Sequence, residues 1–236
     1  MTRVVQATPG QAGELAELIA TAFTPLPAAS WLVPRAADRQ RVLTGHVQIL
    51  VSHALAGHGR VDRLDDGSGV AVWFDHTNGT VPAPSRYDDR LSSMCGPYEG
   101  RIRVLDDLFA IHQPDTPHHH LALLAVHPTW QRQGLGTILL NHHHDRLDAA
   151  GTPAYLEASS EASRRLYCRS GYTAGPSFPL PEGPPFWPMW REPLALPPVR
   201  ATPVNPRRGQ TAPVTDPGKG SWPAPTPAHV QEAYTS

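Results

Sequence analysis

Apolar and polar positions alternate between two periods along this chain, and the switches mark its elements. Leu121 to Val126 is an unbroken apolar run of strand length, as a strand covered on both faces would be. Val70-Ala71-Val72-Trp73-Phe74 reads the same way, and with Arg60–Leu64 it predicts a hairpin turning at Asp65-Asp66-Gly67. Arg3–Ala7 and Ala154–Ala158 predict two more strands. Tyr172–Phe178 and Pro185–Arg191 predict a closing pair around Pro181-Glu182-Gly183.

Helical spacing fills the intervals. Thr8-Pro9 is a helix start with Thr8 as N-cap, and Leu15, Leu18, Ile19, Ala22 and Phe23 share one face. Pro25 and Pro27 end that helix, and a loop carrying Trp31 follows. Further helices are expected over Ala36–Ala56, Ser85–Met94, Tyr98–Ile111 and from Gly136 to Ala150. A short one, capped by Ser160 and stopped by Gly171, holds Leu166 and Tyr167. The predicted order is β-α-α-β-β-α-α-β-α-β-α-β-β, a mixed α/β domain over residues 1–195. From Leu196 to Ser236 the chain is rich in proline, glycine, serine and threonine without periodicity, and a disordered tail is expected there.

Composition narrows the function classes. A net charge of −1 gives no global electrostatic case for nucleic acid or for an anionic membrane. No apolar run approaches the ~20 residues that span a bilayer. The start, MTRVVQATPG, lacks the apolar core of a signal peptide. Cys95 and Cys168 form neither a disulfide framework nor a zinc spacing, so a reducing, cytoplasmic setting is expected. The 13 histidines include two runs, His118–His120 and His142–His144. A metal-binding protein is one reading of these. Consecutive helical positions lie about 100° apart, however, and cannot converge on one ion, so His142–His144 is expected on a solvated face.

The chemistry concentrates after the strand Leu121–Val126. His127-Pro128 ends the strand, and Gln131-Arg132-Gln133-Gly134-Leu135-Gly136-Thr137 opens the next helix. A glycine-bearing turn entering a helix gathers free backbone N–H groups where the helix dipole also favours negative charge. The glycines alone fit a plain tight turn equally well. A P-loop would need a lysine after Gly136, and a dinucleotide fingerprint would need a glycine at Leu139.

Taken together, the strand, Gln131-x-x-Gly134-x-Gly136, the strand Tyr155–Ala158, and Leu166-Tyr167 followed by Ser170-Gly171-Tyr172 resemble the GNAT superfamily of acyl-CoA-dependent N-acyltransferases. The resemblance extends over residues 3 to 193. Leu156-Glu157-Ala158-Ser159, Pro181-Glu182-Gly183-Pro184 and Trp187-x-Met189-x-Arg191-x-Pro193 carry it toward an antibiotic-acetylating branch. It implies a mostly antiparallel central sheet flanked by helices, with strands splayed at the acyl-CoA site. It also implies transfer of acetyl from acetyl-CoA to a primary amine, by direct attack through a tetrahedral intermediate.

The resemblance assigns residues. Backbone groups of Leu124, Ala125 and Val126 are expected to meet the pantetheine arm and thioester, with the Leu124 N–H as oxyanion donor. Gln131, Arg132, Gln133, Gly134, Leu135, Gly136 and Thr137 are expected to hold the pyrophosphate. Ser163 stands where relatives often carry a cofactor-contacting asparagine. Tyr167 is the expected general acid, since a phenol with a pKa near 10 suits protonation of a thiolate. The base has two candidates, His120 and Glu157, with His120 where some relatives place a glutamate. Asp75, Asp106 and Asp107 are candidate contacts for a cationic acceptor, and Trp31 and Trp73 candidate pocket walls. The expected partner is a small-molecule amine such as an aminonucleoside or biosynthetic intermediate, with no nucleic acid, membrane or metal, in a monomer or homodimer. The rivals are a protein N-terminus or lysine as acceptor, and a non-catalytic acyl-CoA-binding module.

Overall fold

The computed structural model describes residues 2–195. The tail expected from Leu196 onward lies outside the described residues. The strands are β1 (Val4–Gln6), β2 (Gly59–Leu64), β3 (Gly69–Asp75), β4 (His119–Val126), β5 (Ala154–Ala158), β6 (Thr173–Ala174), β7 (Phe178–Pro179) and β8 (Pro185–Arg191). The helices are α1 (Ala12–Phe23), α2 (Pro27–Leu32), α3 (Ala36–His53), α4 (Tyr87–Cys95), α5 (Glu99–His112), α6 (Leu135–Ala150) and α7 (Glu161–Arg169). The sheet runs β1-β2-β3-β4-β5-β8-β6, with β7 attached to β8. Every pairing is antiparallel except β4 with β5.

Two layers cover the sheet. On one face α1 and α3 bury Leu15, Ile19, Val47 and Val51 against Val61, Val70, Val72, Leu123 and Ala125. On the other, α6 and α7 bury Leu139, Leu140 and Tyr167 against Trp73, Leu121, Leu156 and Met189. A third cluster, built from α2, α3, α4, α5 and the β7–β8 strap, includes Leu32, Leu43, Leu91, Ile102, Phe178 and Phe186. It packs beside the α1–α3 layer.

Three local expectations need correction. The Trp31 segment is a helix, α2, rather than a loop: Pro27 sits in its first turn, where a missing N–H costs nothing. The span Tyr172–Phe178 is not one strand but two short pieces separated by Gly175 and Pro176, which cannot both serve a continuous ladder. The His142–His144 run does not lie on a solvated face. His143 is 2% and His144 4% exposed, because α6 turns that side to the sheet. His143 stacks on Trp73 at 4.1 Å and faces Asp62 across 3.6 Å, while His144 pairs with the Tyr172 hydroxyl at 3.0 Å. Imidazole carries enough apolar surface to join a core once each nitrogen has a neighbour.

Candidate active site

β4 is where the sheet opens. Its pairing with β5 lasts two residues, His119 opposite Ala154 and His120 opposite Tyr155, and then the strands part. On the other edge β4 stays paired with β3 to Val126, but Ala122 is skipped between Leu121 and Leu123. This is a β-bulge, and it resets which way the backbone points. At one end the His119 N–H donates to Pro153 O at 3.0 Å, toward β5. At the other the His127 N–H donates to Ser68 O at 2.8 Å, toward β3. Alternation counted back from His127 turns the N–H and C=O of Leu123 and Ala125 toward β3, and those of Leu124 and Val126 into the gap. The side chains show the same reset: Leu121 and Leu124 share the α6–α7 side although they are three residues apart. Gln131 reaches back to this edge, its Nε2 donating to Val126 O at 3.0 Å.

Below the gap lies the glycine loop. Arg132 (φ 63°) and Gly134 (φ 82°) both adopt the left-handed region, which folds the loop back onto itself before α6 starts. Gly134 is the N-cap, no side chain caps the helix, and no acidic residue occupies its first turn. The N–H groups of α6's first turn are therefore left to a ligand, on the positive end of a four-turn helix. A side chain at Gly136 would meet Leu166 and Leu124 at ordinary contact distance, so this glycine is not forced by protein packing. Gln133 is exposed and does not line the cleft.

α7 borders the gap from the β5 side. Ser160 caps it, accepting from the Ser163 N–H at 3.1 Å, while the Ser163 hydroxyl closes the box onto Ser160. Ser163 lines the cleft, but its hydroxyl is committed to the cap. One helical turn further, Tyr167 also lines the cleft, and its hydroxyl has no protein partner among the described residues. Burial first, and the Glu157 carboxylate second, push this phenol well above its ordinary 10.0, so it stays protonated.

At the fork itself the two rival bases meet. His120 on β4 and Glu157 on β5 project from the same face, and His120 Nε2 lies 2.8 Å from Glu157 Oε2. The Glu157 side chain is 3% exposed, and its Oε1 has no hydrogen-bond partner among the described residues. His118 and His120 share this face and flank His76, whose ring stacks on His118 at 5.1 Å and whose Nδ1 meets Gln113 at 2.8 Å. His119 points the other way, to His143 at 3.2 Å and Asp75 at 3.6 Å, away from the fork. Among the described residues no group of three or more His, Cys, Asp or Glu could hold a metal ion, and no helix is long and apolar enough to cross a membrane.

A single cleft of about 750 Å³ connects these parts, running from the glycine loop past Tyr167 and the fork to α1, α2 and α5. A family model described as the acetyltransferase (GNAT) family matches residues 100–172, the span from α5 through α7. That stretch gives the chain a GNAT acetyltransferase segment. It is similar to an acetyltransferase from Corynebacterium glutamicum, described as related to histone acetyltransferase HPA2, at 25% identity over 84% of this chain and 99% of that one, with a TM-score of 0.64. It shares its fold with a polyamine N-acetyltransferase from Drosophila melanogaster (19% identity, 81% of this chain, 100% of that one, TM-score 0.53). It also shares the fold of the PaiA N-acetyltransferase from Thermoplasma acidophilum, solved with coenzyme A (8% identity, 81% and 99% covered, TM-score 0.51). The acetyltransferase is acyl-CoA-dependent, and the uncapped α6 terminus and the open β4 edge offer donors of the kind such a molecule needs.

Of the expected site residues, Leu124 to Val126, Gln131, Arg132, Gly134 to Thr137, Glu157, Ser163, Tyr167 and His120 all line the one cleft. Asp106 lines it too, whereas Asp75 borders a separate cavity beside His119 and Trp73. Sequence reading did not place Phe23, Leu26, Phe109 and Phe186 in the cleft. Their only signal was apolar periodicity, which does not separate a core wall from a pocket wall.

Proposed function

We propose that this acetyltransferase moves acetyl from acetyl-CoA to a primary amine of a small molecule, by direct attack through a tetrahedral intermediate. The observation that carries this is the His120–Glu157 pair at the fork, 2.8 Å apart, opening on the same cleft as the free Tyr167 hydroxyl. Acetyl-CoA supplies an activated thioester carbonyl. The Arg132–Thr137 loop holds pyrophosphate on its backbone N–H groups, with the Arg132 guanidinium as a charge-assisted contact. The β4 edge aligns the pantetheine arm, and the Leu124 N–H donates to the oxygen that gains charge during attack, a preorganised donor typically worth ~3 kcal/mol.

His120 takes the proton from the attacking amine, and Glu157, buried behind it, holds the imidazole in place. Tyr167 gives its proton to the departing sulfur. Two rival bases thus become one unit. An acceptor enclosed by α1, α2 and α5 is favoured over a protein N-terminus or a lysine side chain on a protein surface, which need an open groove. The free hydroxyl of Tyr167 favours turnover over a non-catalytic acyl-CoA-binding module. Sequence features at Leu156–Ser159, Pro181–Pro184 and Trp187–Pro193 resemble puromycin N-acetyltransferase, which makes an aminonucleoside or other antibiotic-like amine the first acceptor to try. We read the enzyme as cytoplasmic and as a monomer or homodimer.

Free-thiol release from acetyl-CoA across a panel of amines including puromycin tests this directly. Amine-dependent release is the expected result. Tight acetyl-CoA binding with no release to any amine would refute the enzymatic reading.

A further inference from the structure

The half of the cleft beyond the fork has its own chemistry, distinct from the half that faces the glycine loop. Its walls are Phe23 at the end of α1, Leu26 after it, Leu43 on α3, Leu105 and Phe109 on α5, and Phe186 on β8. Outside the fork, the glycine loop and α7, the side chains lining the cleft that can ionise are His46 and Asp106. Burial holds His46 down to about 4, so it is neutral at physiological pH and offers no charge. Asp106 Oδ2 accepts from the Tyr87 hydroxyl at 2.5 Å, while Oδ1 has no protein partner among the described residues. Burial pushes this carboxyl up to about 6, because the surrounding apolar walls solvate its charge poorly.

A ligand's shape and charge follow from this inventory. A polyamine would bring several ammonium groups against phenylalanine and leucine, with one carboxylate to meet them, and each unpaired charge would be costly to desolvate. A peptide would bring backbone N–H and C=O groups that find almost no partners on these walls. An aromatic or aliphatic ring fits the walls. Asp106 Oδ1, without a protein partner among the described residues, is an acceptor that a ligand donor could satisfy.

We propose that the acceptor is an amphiphilic amine with a ring-sized apolar body, whose amine enters at His120–Glu157 and whose opposite end donates a hydrogen bond to Asp106. This rests on the acyl-transfer reading above. It makes Asp106 a specificity residue: it touches the acceptor far from the reacting atoms and takes no part in proton transfer.

The test compares tyramine with phenethylamine, which differ in one hydroxyl at the ring end, and sets both against spermidine and a lysine-bearing peptide. In the wild type, kcat/KM for tyramine is expected to exceed that for phenethylamine about tenfold, and both should exceed spermidine and the peptide. In Asp106→Leu and in the milder Asp106→Asn, which keeps an acceptor for Tyr87, the tyramine advantage should fall to within about twofold through KM, with phenethylamine little changed. Spermidine or the peptide as the best acceptor, or a tyramine preference that survives both substitutions, would overturn the proposal. Calorimetric binding of tyramine reads the chamber separately. Binding that is lost in Asp106→Leu, with no thiol release to any amine, would refute acyl transfer while leaving the chamber assignment standing. No tyramine binding alongside turnover of another amine would do the reverse.

Discussion

The two halves of the cleft are built from different material. The glycine-loop half uses backbone: the open edge of β4, the left-handed turn at Arg132 and Gly134, and the first turn of α6, all within residues 119–137. The far half uses side chains drawn from α1, α3, α5 and β8, between Phe23 and Phe186. Backbone donors cannot be exchanged by point mutation, so the first half is suited to a ligand that never changes. Side chains can be exchanged one at a time, so the second is suited to a ligand that differs from one relative to the next. The His120–Glu157 pair sits on the boundary and serves both.

Substitutions should divide along the same boundary. Gly134→Asp forces a side chain into φ 82° and places a carboxylate where the loop gathers N–H groups; acetyl-CoA affinity by calorimetry should drop at least ~100-fold, since strain and repulsion add. Unchanged affinity would remove the loop from the cofactor half. Next in size is the boundary itself. His120→Ala and Glu157→Gln should each lower kcat by roughly 10²-fold, and the double variant should be little worse than either, as for groups acting as a unit. Additive losses in that cycle would mean that the two residues act separately. Tyr167→Phe should cost about tenfold or more in kcat with KM for acetyl-CoA unchanged; a normal kcat would end its role as acid.

In the far half, Phe23→Ala should raise KM for an apolar acceptor about tenfold, in line with ~1.5–3 kcal/mol for a buried aromatic side chain, while KM for acetyl-CoA stays put. A shift in both constants would show that the halves are not separable. The smallest effect concerns acid stability. His46, His76 and His118 are held down to about 4, chiefly by burial, against 6.5 when unfolded. The unfolded chain binds more protons in that interval, so stability should fall as pH drops from 6.5 toward 4. A thermal midpoint that is flat across that range would contradict it.

Legibility followed the same division. The strand, loop and helix of residues 119–150 lie consecutively in the chain, so local patterning sufficed to find them. The Ala122 bulge did not show, because Leu121-Ala122-Leu123-Leu124 is apolar at every position and a one-residue slip leaves no trace in such a run. His120 and Glu157 each stood out, but only the parallel register of β4 and β5 puts them in contact. The far half was invisible for a related reason: Phe23 and Phe109 obey the periodicity of buried helix faces, whether what they face is protein or ligand. The His142–His144 error came from reading three polar letters together, when α6 turns them to different surroundings. Pro27 signals a stop for α1 in the sequence, yet the same residue opens α2.

The short β4–β5 seam has a mechanical consequence. A sheet continuous through only two residue pairs behaves as two plates, β1–β4 and β5–β8, joined on one face by α6 and on the other by the third cluster, in which α2–α5 meet the β7–β8 strap. Shear strength in a sheet comes from many ladder bonds loaded together, and this seam has few. Pulled apart between Val4 and Ala174, the molecule should yield first along the cleft, with each plate still intact, and a force trace showing one undivided rupture would argue against it.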